Sequence, residues 1–297
     1  MKQKKILITG GTGFMGSSLV KKLLHKGNEI RVLDNYQRGN GFRLEKELNQ
    51  IEFIEGDIRD QSVVEKACKN IDVVFHLAYL NGTKFFYEKP ELVLDIAVKG
   101  IINIIHSSIN NNISDFFLAS SSEVYQTPDN IPTKEKVTLK IPDILNPRYS
   151  YGGGKILCEL MTVNYGKKYF NRSVIFRPHN VYGPNMGWEH VIPNFITKIN
   201  QKITKNNSNH VNLEIQGDGT ETRAFIYIED FIDGLIKVYD KAKNLEIYNI
   251  GTNEEISIED LARKVGLYFN KKIKILPGDI QKGSTKRRCP DIKKLNL

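Results

Sequence analysis

Apolar positions along the first half of the chain follow two alternating rhythms. Short continuous apolar runs at Lys5-Ile6-Leu7-Ile8-Thr9, Ile30–Asp34, Ile51–Glu55, Asp72–His76 and Asp115–Ala119 have the length and composition of buried strands. Between them apolar residues recur at helical spacing over Phe14–Lys26, about Ser62–Lys69 and Pro90–Asn110. A further helix at Tyr151–Phe170 and a strand at Ser173–Arg177 continue the series. Strands that are apolar on both faces need cover on both. The repeated βα units therefore predict an α/β fold, a doubly wound parallel Rossmann sheet with helices on each side.

After Pro178 the rhythm changes. Candidate strands at Leu213–Gln216, Arg223–Ile228 and Glu246–Ile250 mix with helices near Val191–Gln201, Glu229–Lys241 and Ser257–Asn270. The pattern predicts a first domain over residues 1–180 and a smaller C-terminal α/β lobe over 181–297. The boundary is soft, and segments are free to interleave. Lys202–Asn212, rich in Lys, Asn and Ser, reads as an exposed loop.

Charge changes this picture little. Lys and Arg exceed Asp and Glu by 43 − 34 = +9, and nine of the basic residues against two acidic ones lie in Lys271–Leu297. That tail has no aromatic residue beyond Phe269 on which bases could stack, so a nucleic-acid partner is not expected and anionic small molecules fit better. No apolar run reaches the roughly 18–20 residues of a membrane span, since Ile101–Ile109 is broken by Asn103, His106 and Ser107. With no apolar leader after Met1, and with three scattered cysteines (Cys68, Cys158 and Cys289) outside any metal or redox spacing, a cytoplasmic protein with reduced thiols and no metal is expected.

Candidate chemistry begins at Thr9-Gly10-Gly11-Thr12-Gly13-Phe14-Met15-Gly16. Glycines at 10, 13 and 16 between a strand and a helix allow a sharp turn and a close backbone approach to a pyrophosphate. The amides of Phe14 and Met15 then open the helix toward the phosphate charge. Asp34 ends the second strand, where an acid can bond the ribose hydroxyls of NAD and repel the 2′-phosphate of NADP, although Arg31 and Arg38 lie nearby. Asp57, followed by Ile58, comes after the third strand and is placed to meet the adenine; a helix cap would look the same. Tyr151-Gly152-Gly153-Gly154-Lys155 sets a phenol and an ammonium on one helix face, an arrangement that can stabilise a phenolate base. Ser120-Ser121-Ser122-Glu123-Val124-Tyr125 stands at a strand end, where ligands of open α/β sheets collect.

Together these segments resemble the extended short-chain dehydrogenase/reductase family, in the branch that acts on nucleotide-diphosphate sugars, over nearly the whole chain. The resemblance implies tightly held NAD, with Leu77 and Ala78 beside it and Lys155 on the nicotinamide ribose. It implies Tyr151 as base on a sugar hydroxyl, usually at C4, and Ser121 bonding that hydroxyl, with Ser120 and Ser122 as alternatives. Ser122, Asn180, Arg223 and Arg288 would then contact the substrate, the arginines as diphosphate forks. Glu123 would be a base at C5 or a structural acceptor. Phe85, Phe86, Tyr87, Asn185, Met186, Trp188 and His190 are candidates for the sugar pocket, and a packed aromatic core is the alternative for the first three.

Departures from the family pattern narrow the reaction. Its 4,6-dehydratases carry Asp-Glu where this chain has Ser122-Glu123, so dehydration would lack its proton donor. Tyr79, Ala97 and Gln126 replace a usual small residue, Asn and Gly, and the chain ends at Leu297 where members continue. The Ser-Glu pair, the Tyr-Gly-Gly-Gly-Lys helix and the run Arg177–His190 are most similar to GDP-heptose 4-dehydrogenases of bacterial capsule pathways, which favours a GDP-linked sugar. A 4-epimerase is the runner-up. A non-catalytic NAD-sensing module would tend to lack the Tyr/Lys pair. Members usually pair through two long helices, so a homodimer on Pro90–Asn110 and Tyr151–Phe170 is expected.

Overall fold

The computed structural model describes residues 3–205 and 208–296. Its strands are β1 (Lys5–Thr9), β2 (Glu29–Asp34), β3 (Ile51–Glu55), β4 (Val73–His76), β5 (Asp115–Ala119), β6 (Arg172–Pro178), β7 (Val181–Tyr182), β8 (His210–Glu214), β9 (Thr222–Ala224), β10 (Ile226–Tyr227), β11 (Ile247–Ile250), β12 (Glu255–Ser257), β13 (Lys272–Leu276) and β14 (Arg287–Arg288). The helices are α1 (Phe14–His25), α2 (Gln61–Cys68), α3 (Thr83–Glu88), α4 (Pro90–Asn110), α5 (Tyr149–Tyr169), α6 (Val191–Lys205), α7 (Ile228–Lys241), α8 (Ile258–Tyr268) and α9 (Lys293–Asn296).

Seven strands form one parallel sheet in the order β11-β6-β5-β4-β1-β2-β3. Side chains of successive strand residues point to opposite faces, and both faces are filled. Ile6 and Ile8 join Val32, Phe75, Phe117 and Phe176 under α1 and α7, while Leu7 joins Leu33, Val74, Phe116 and Ile175 under α2, α4 and α5. A third apolar cluster lies between α6, α8, β8 and β13. Strand order reverses between β1 and β4, and the crevice at their C-terminal ends is where open α/β sheets take ligands.

The expected α/β fold is present, with differences that have physical reasons. β11 pairs with β6, and α7 packs on α1, so the main sheet draws on residues beyond 180, an interleaving that the soft boundary left open. The stretch 202–212 is not a loop throughout: α6 runs to Lys205, and β8 begins at His210 with alternate residues Val211 and Leu213 buried. That alternation is half polar and hides among the Lys and Asn residues; residues 206 and 207 lie outside the described set, as does Leu297. Arg223–Ile228 divides into β9 and β10, which pair in different small sheets. α4 does satisfy the length and hydropathy of a membrane span, contrary to the reading from Ile101–Ile109 alone, yet half of it is buried inside the fold.

Candidate active site

The turn after β1 is shaped by backbone proximity. Gly10 has φ +73°, and a Cβ there would lie 2.7 Å from the Ala78 amide nitrogen; one at Gly16 would lie 2.1 Å from the Gly10 carbonyl. No side chain caps α1 after Gly13, and its first turn holds no acid. The amides of Phe14 and Met15 are thus left for an anion, while their side chains pack on the core. Thr9 Oγ1 ties the ends of β1 and β4 together, accepting from the Ala78 amide at 3.2 Å and bonding His76 Nδ1 at 2.8 Å.

Asp34 lines the adjoining groove with Gly10, Gly13, Asp57, Ile58, Leu77 and Ala78. Its two oxygens accept from the Thr12 amide at 2.9 Å and the Tyr36 amide at 2.8 Å, which fixes the carboxylate and leaves each oxygen a lone pair for a ribose hydroxyl. Arg31 faces away, donating to the carbonyls of Ala67 and Lys69 and pairing with Glu52. Arg38 reaches the groove but is neutralised by Glu189 at 2.5 Å. A pyrophosphate over the glycines and a ribose on Asp34 therefore fit the residues present. Asp57 stands in the same groove, where Arg59 holds its carboxylate from both sides and Asn35 bonds it at 3.0 Å. Asp57 is not the helix cap, a role Asp60 takes for α2.

At the other end of the groove, Tyr151 is buried and stacks on Phe86 at 4.6 Å. Phe86 is thus packed core, whereas Trp188 is exposed and Phe85 lies under Arg38. Burial pushes the Tyr151 phenol up, a hydrogen bond with Ser121 pulls it down, and the Glu123 charge raises it again. Ser121 also caps the short turn Ser122–Tyr125. Lys155 shares the helix face with Tyr151 as predicted, but its ammonium does not bond the phenol: it donates to the Ala119 carbonyl at 2.7 Å and lies over the Tyr79 ring. Burial lowers its pKa to about 8. Ser120 is committed elsewhere, donating to Glu159, which forms a buried pair with Arg177 at 2.6 Å.

Glu123 and the arginines depart most from the sequence reading. Burial opposes ionisation of Glu123, but Arg288, at 2.6 Å, with Arg148 and Arg223 nearby, holds its carboxyl down at about 2. Such a carboxylate is a weak base. Arg288 is therefore occupied, also donating to Thr285, and Arg223 donates to the carbonyls of Thr222, Thr285 and Lys286. Neither is a free diphosphate fork. Three guanidiniums around one carboxylate nevertheless leave a surplus of positive charge, and Arg148 Nε and Arg288 Nε are buried without partners among the described residues. Arg148 was missed; only its place just before the Tyr151 helix could have suggested it. Asn180 uses its amide to bond the Ala224 carbonyl, and its φ is +38°. Ser122 is buried in the turn, and His179 is a buried neutral imidazole bonded to Asn249.

The chain compares closely with known proteins. It is 31% identical to the UDP-N-acetyl-alpha-D-glucosaminuronate decarboxylase of Bacillus cytotoxicus, over 99% of this chain and 91% of that one. It is 35% identical to a putative UDP-glucose 4-epimerase of Methanocaldococcus jannaschii, over 86% and 79%. Among solved structures, the UDP-N-acetylglucosamine 4-epimerase of Methanobrevibacter ruminantium superposes with a TM-score of 0.87 at 28% identity, covering 100% of this chain and 92% of that one. A family model described as the NAD dependent epimerase/dehydratase family matches residues 6–251. With the glycine turn and Asp34 fitting that cofactor, the chain belongs to the NAD-dependent epimerase/dehydratase family of extended short-chain dehydrogenases/reductases, enzymes of nucleotide sugars.

Proposed function

We propose that this enzyme oxidises C4 of a nucleotide-diphosphate sugar to the 4-keto sugar. The observation that carries this reading is the Tyr151 phenol bonded to Ser121 at the switch-point end of the sheet, with the buried Lys155 ammonium one turn away. NAD, when bound, supplies the hydride acceptor. Tyr151 takes the hydroxyl proton, and Ser121 orients that hydroxyl. Burial works against the phenolate that Tyr151 must become, and the Ser121 bond and the Arg288 charge work for it. Tyr151→Phe should keep sugar binding and lower turnover about a thousandfold.

For the fate of the keto sugar, the Ser122-Glu123 pair and the Arg177–His190 run support release of the product, as in a GDP-heptose 4-dehydrogenase. A second reading is favoured by the surplus charge of Arg148, Arg223 and Arg288 around Glu123. That surplus suits a sugar carboxylate, and a 4-keto uronate is a β-keto acid that loses carbon dioxide readily; one relative is named a uronate decarboxylase. The 4-epimerase relative keeps return of hydride to the other face as a further alternative. Buried free thiols at Cys68, Cys158 and Cys289 support a cytoplasmic setting.

One assay separates these outcomes: NADH absorbance and product mass after mixing with GDP- and UDP-linked sugars, uronates included. A lasting NADH signal with a product lighter by one hydrogen pair identifies the dehydrogenase. Loss of carbon dioxide identifies the decarboxylase, and an isobaric product the epimerase. A binding-competent enzyme that oxidises none of these sugars would overturn the proposal.

A further inference from the structure

Tyr79 follows the end of β4 and lines the cofactor groove, where the family pattern has a small residue. The Lys155 ammonium sits over its face, 3.9 Å from the ring centre. The Tyr151 ring meets it nearly at right angles, with centres 5.1 Å apart. At the far end the Tyr79 hydroxyl is buried without a partner among the described residues, against Gly154, where a Cβ would come within 2.3 Å of it. α5 therefore carries glycine one position before Lys155 so that the ring can enter. Glycine inside a helix is unfavourable relative to alanine, so the slot is held open against local propensity.

Few other groups can hold the ammonium. From its own helix Cys158 and Glu159 face it, but Glu159 is engaged by Arg177 of β6 and by Ser120 after β5. From β4 comes His76, neutral through burial, and Tyr151 bonds Ser121 instead. Among the described residues, the Ala119 carbonyl and the Tyr79 ring face remain as its direct contacts.

We infer that Tyr79 is a positioning residue whose ring face keeps the Lys155 ammonium charged and in place beside Tyr151. The effect on turnover rests on the proposed role of Tyr151; the effect on ionisation does not. Tyr79→Leu fills similar space without a π face, and should move proton loss from Lys155 down by about one pH unit. Two readouts follow it: the alkaline limb of the kcat–pH profile, and the pH inflection of the fluorine resonance of 3-fluorotyrosine incorporated at position 151, which needs no turnover. Tyr79→Phe keeps the face and should leave both inflections where the wild type has them.

If the Leu variant keeps the wild-type fluorine inflection, or if the Phe variant shifts as far as the Leu variant, the inference is overturned. A shifted fluorine inflection with an unmoved activity limb supports the role of Tyr79 and overturns Tyr151 as the base. Should Tyr79→Leu fail to fold, Gly154→Ala displaces the ring from its hydroxyl end and should shift the inflection likewise. Adding Tyr79→Phe should restore it in part: the nearest ring carbon then lies 3.6 Å from the new methyl, while the Ala97 methyl at 2.9 Å still crowds it.

Discussion

The Lys155 ammonium lies almost wholly out of water, and its pKa is brought from 10.5 to about 8 by burial. A lysine with a lowered folded pKa binds fewer protons in the folded state between those two values. Its charge therefore weakens the fold fully below pH 8, and the penalty fades as pH rises through 10.5. The shift corresponds to about 3 kcal/mol, of which the bond to Ala119 returns about 1. Lys155→Met should thus raise stability at pH 7 by roughly 2 kcal/mol in denaturant titration while removing turnover, and the gain should shrink above pH 8. Glu123 has the opposite sign. Its carboxyl, held near 2 against an ordinary 4.5, contributes stability above pH 4.5 that is lost as pH falls through 2. Glu123→Gln takes away the carboxylate with which Arg288 and Arg148 pair, and should destabilise by roughly 3 kcal/mol, a deficit that narrows on acidification below pH 4.5. A Gln variant of wild-type stability would remove Glu123 as the countercharge of this cluster.

Between elements, the segment after β2 is tied across the groove to the segment before α6. Arg38 pairs with Glu189, and Arg43 donates twice to the Asn185 carbonyl at 2.7 and 3.1 Å. These contacts span the side on which Asp34 faces the groove. Glu189→Gln should speed NAD release severalfold in a stopped-flow chase, within the worth of a part-exposed pair, and an unchanged rate would show that the tie does not gate the cofactor. Nothing in the sequence announces this pairing, since its partners stand far apart in the chain. The sheet strands, by contrast, were legible because burial on both faces leaves them continuously apolar. Half-polar β8 was legible only at its end, around Leu213, and short α3 not at all, for want of such a run. The site was legible where one local segment makes it, as at Gly10–Gly16 and Tyr151/Lys155. It was not where three segments meet, so the partners of Arg148, Arg223 and Arg288 could only come from the fold. The departures Tyr79, Ala97 and Gln126, separate oddities in the sequence, converge on α5: a Cβ at Gly154 would strike Tyr79 and Ala97, and one at Gly152 would strike Gln126.

At the scale of the whole molecule, α4 and α5 pack side by side and turn an apolar face outward. Leu94 and Val98 on α4, with Leu157 and Leu160 on α5, are exposed by 42%, 37%, 36% and 57%. The first two are four residues apart and the second two three, so each pair lies along one stripe of its helix. The inner stripes of the same helices, Val93, Ile96, Ala97, Ile101 and Cys158 among them, already fill the core. The outer stripe is thus apolar beyond what the monomer's packing requires, and a second copy of this chain meeting it about a twofold axis would bury like against like. That arrangement supports the expected homodimer, with Tyr151 and Lys155 on the opposite, buried side of α5 and so undisturbed by pairing. Leu160→Lys together with Leu94→Lys should convert a dimer to a monomer by light scattering at micromolar concentration, leaving NAD binding in place. A wild-type protein that already scatters as a monomer at that concentration would remove the dimer and leave these leucines to some other partner.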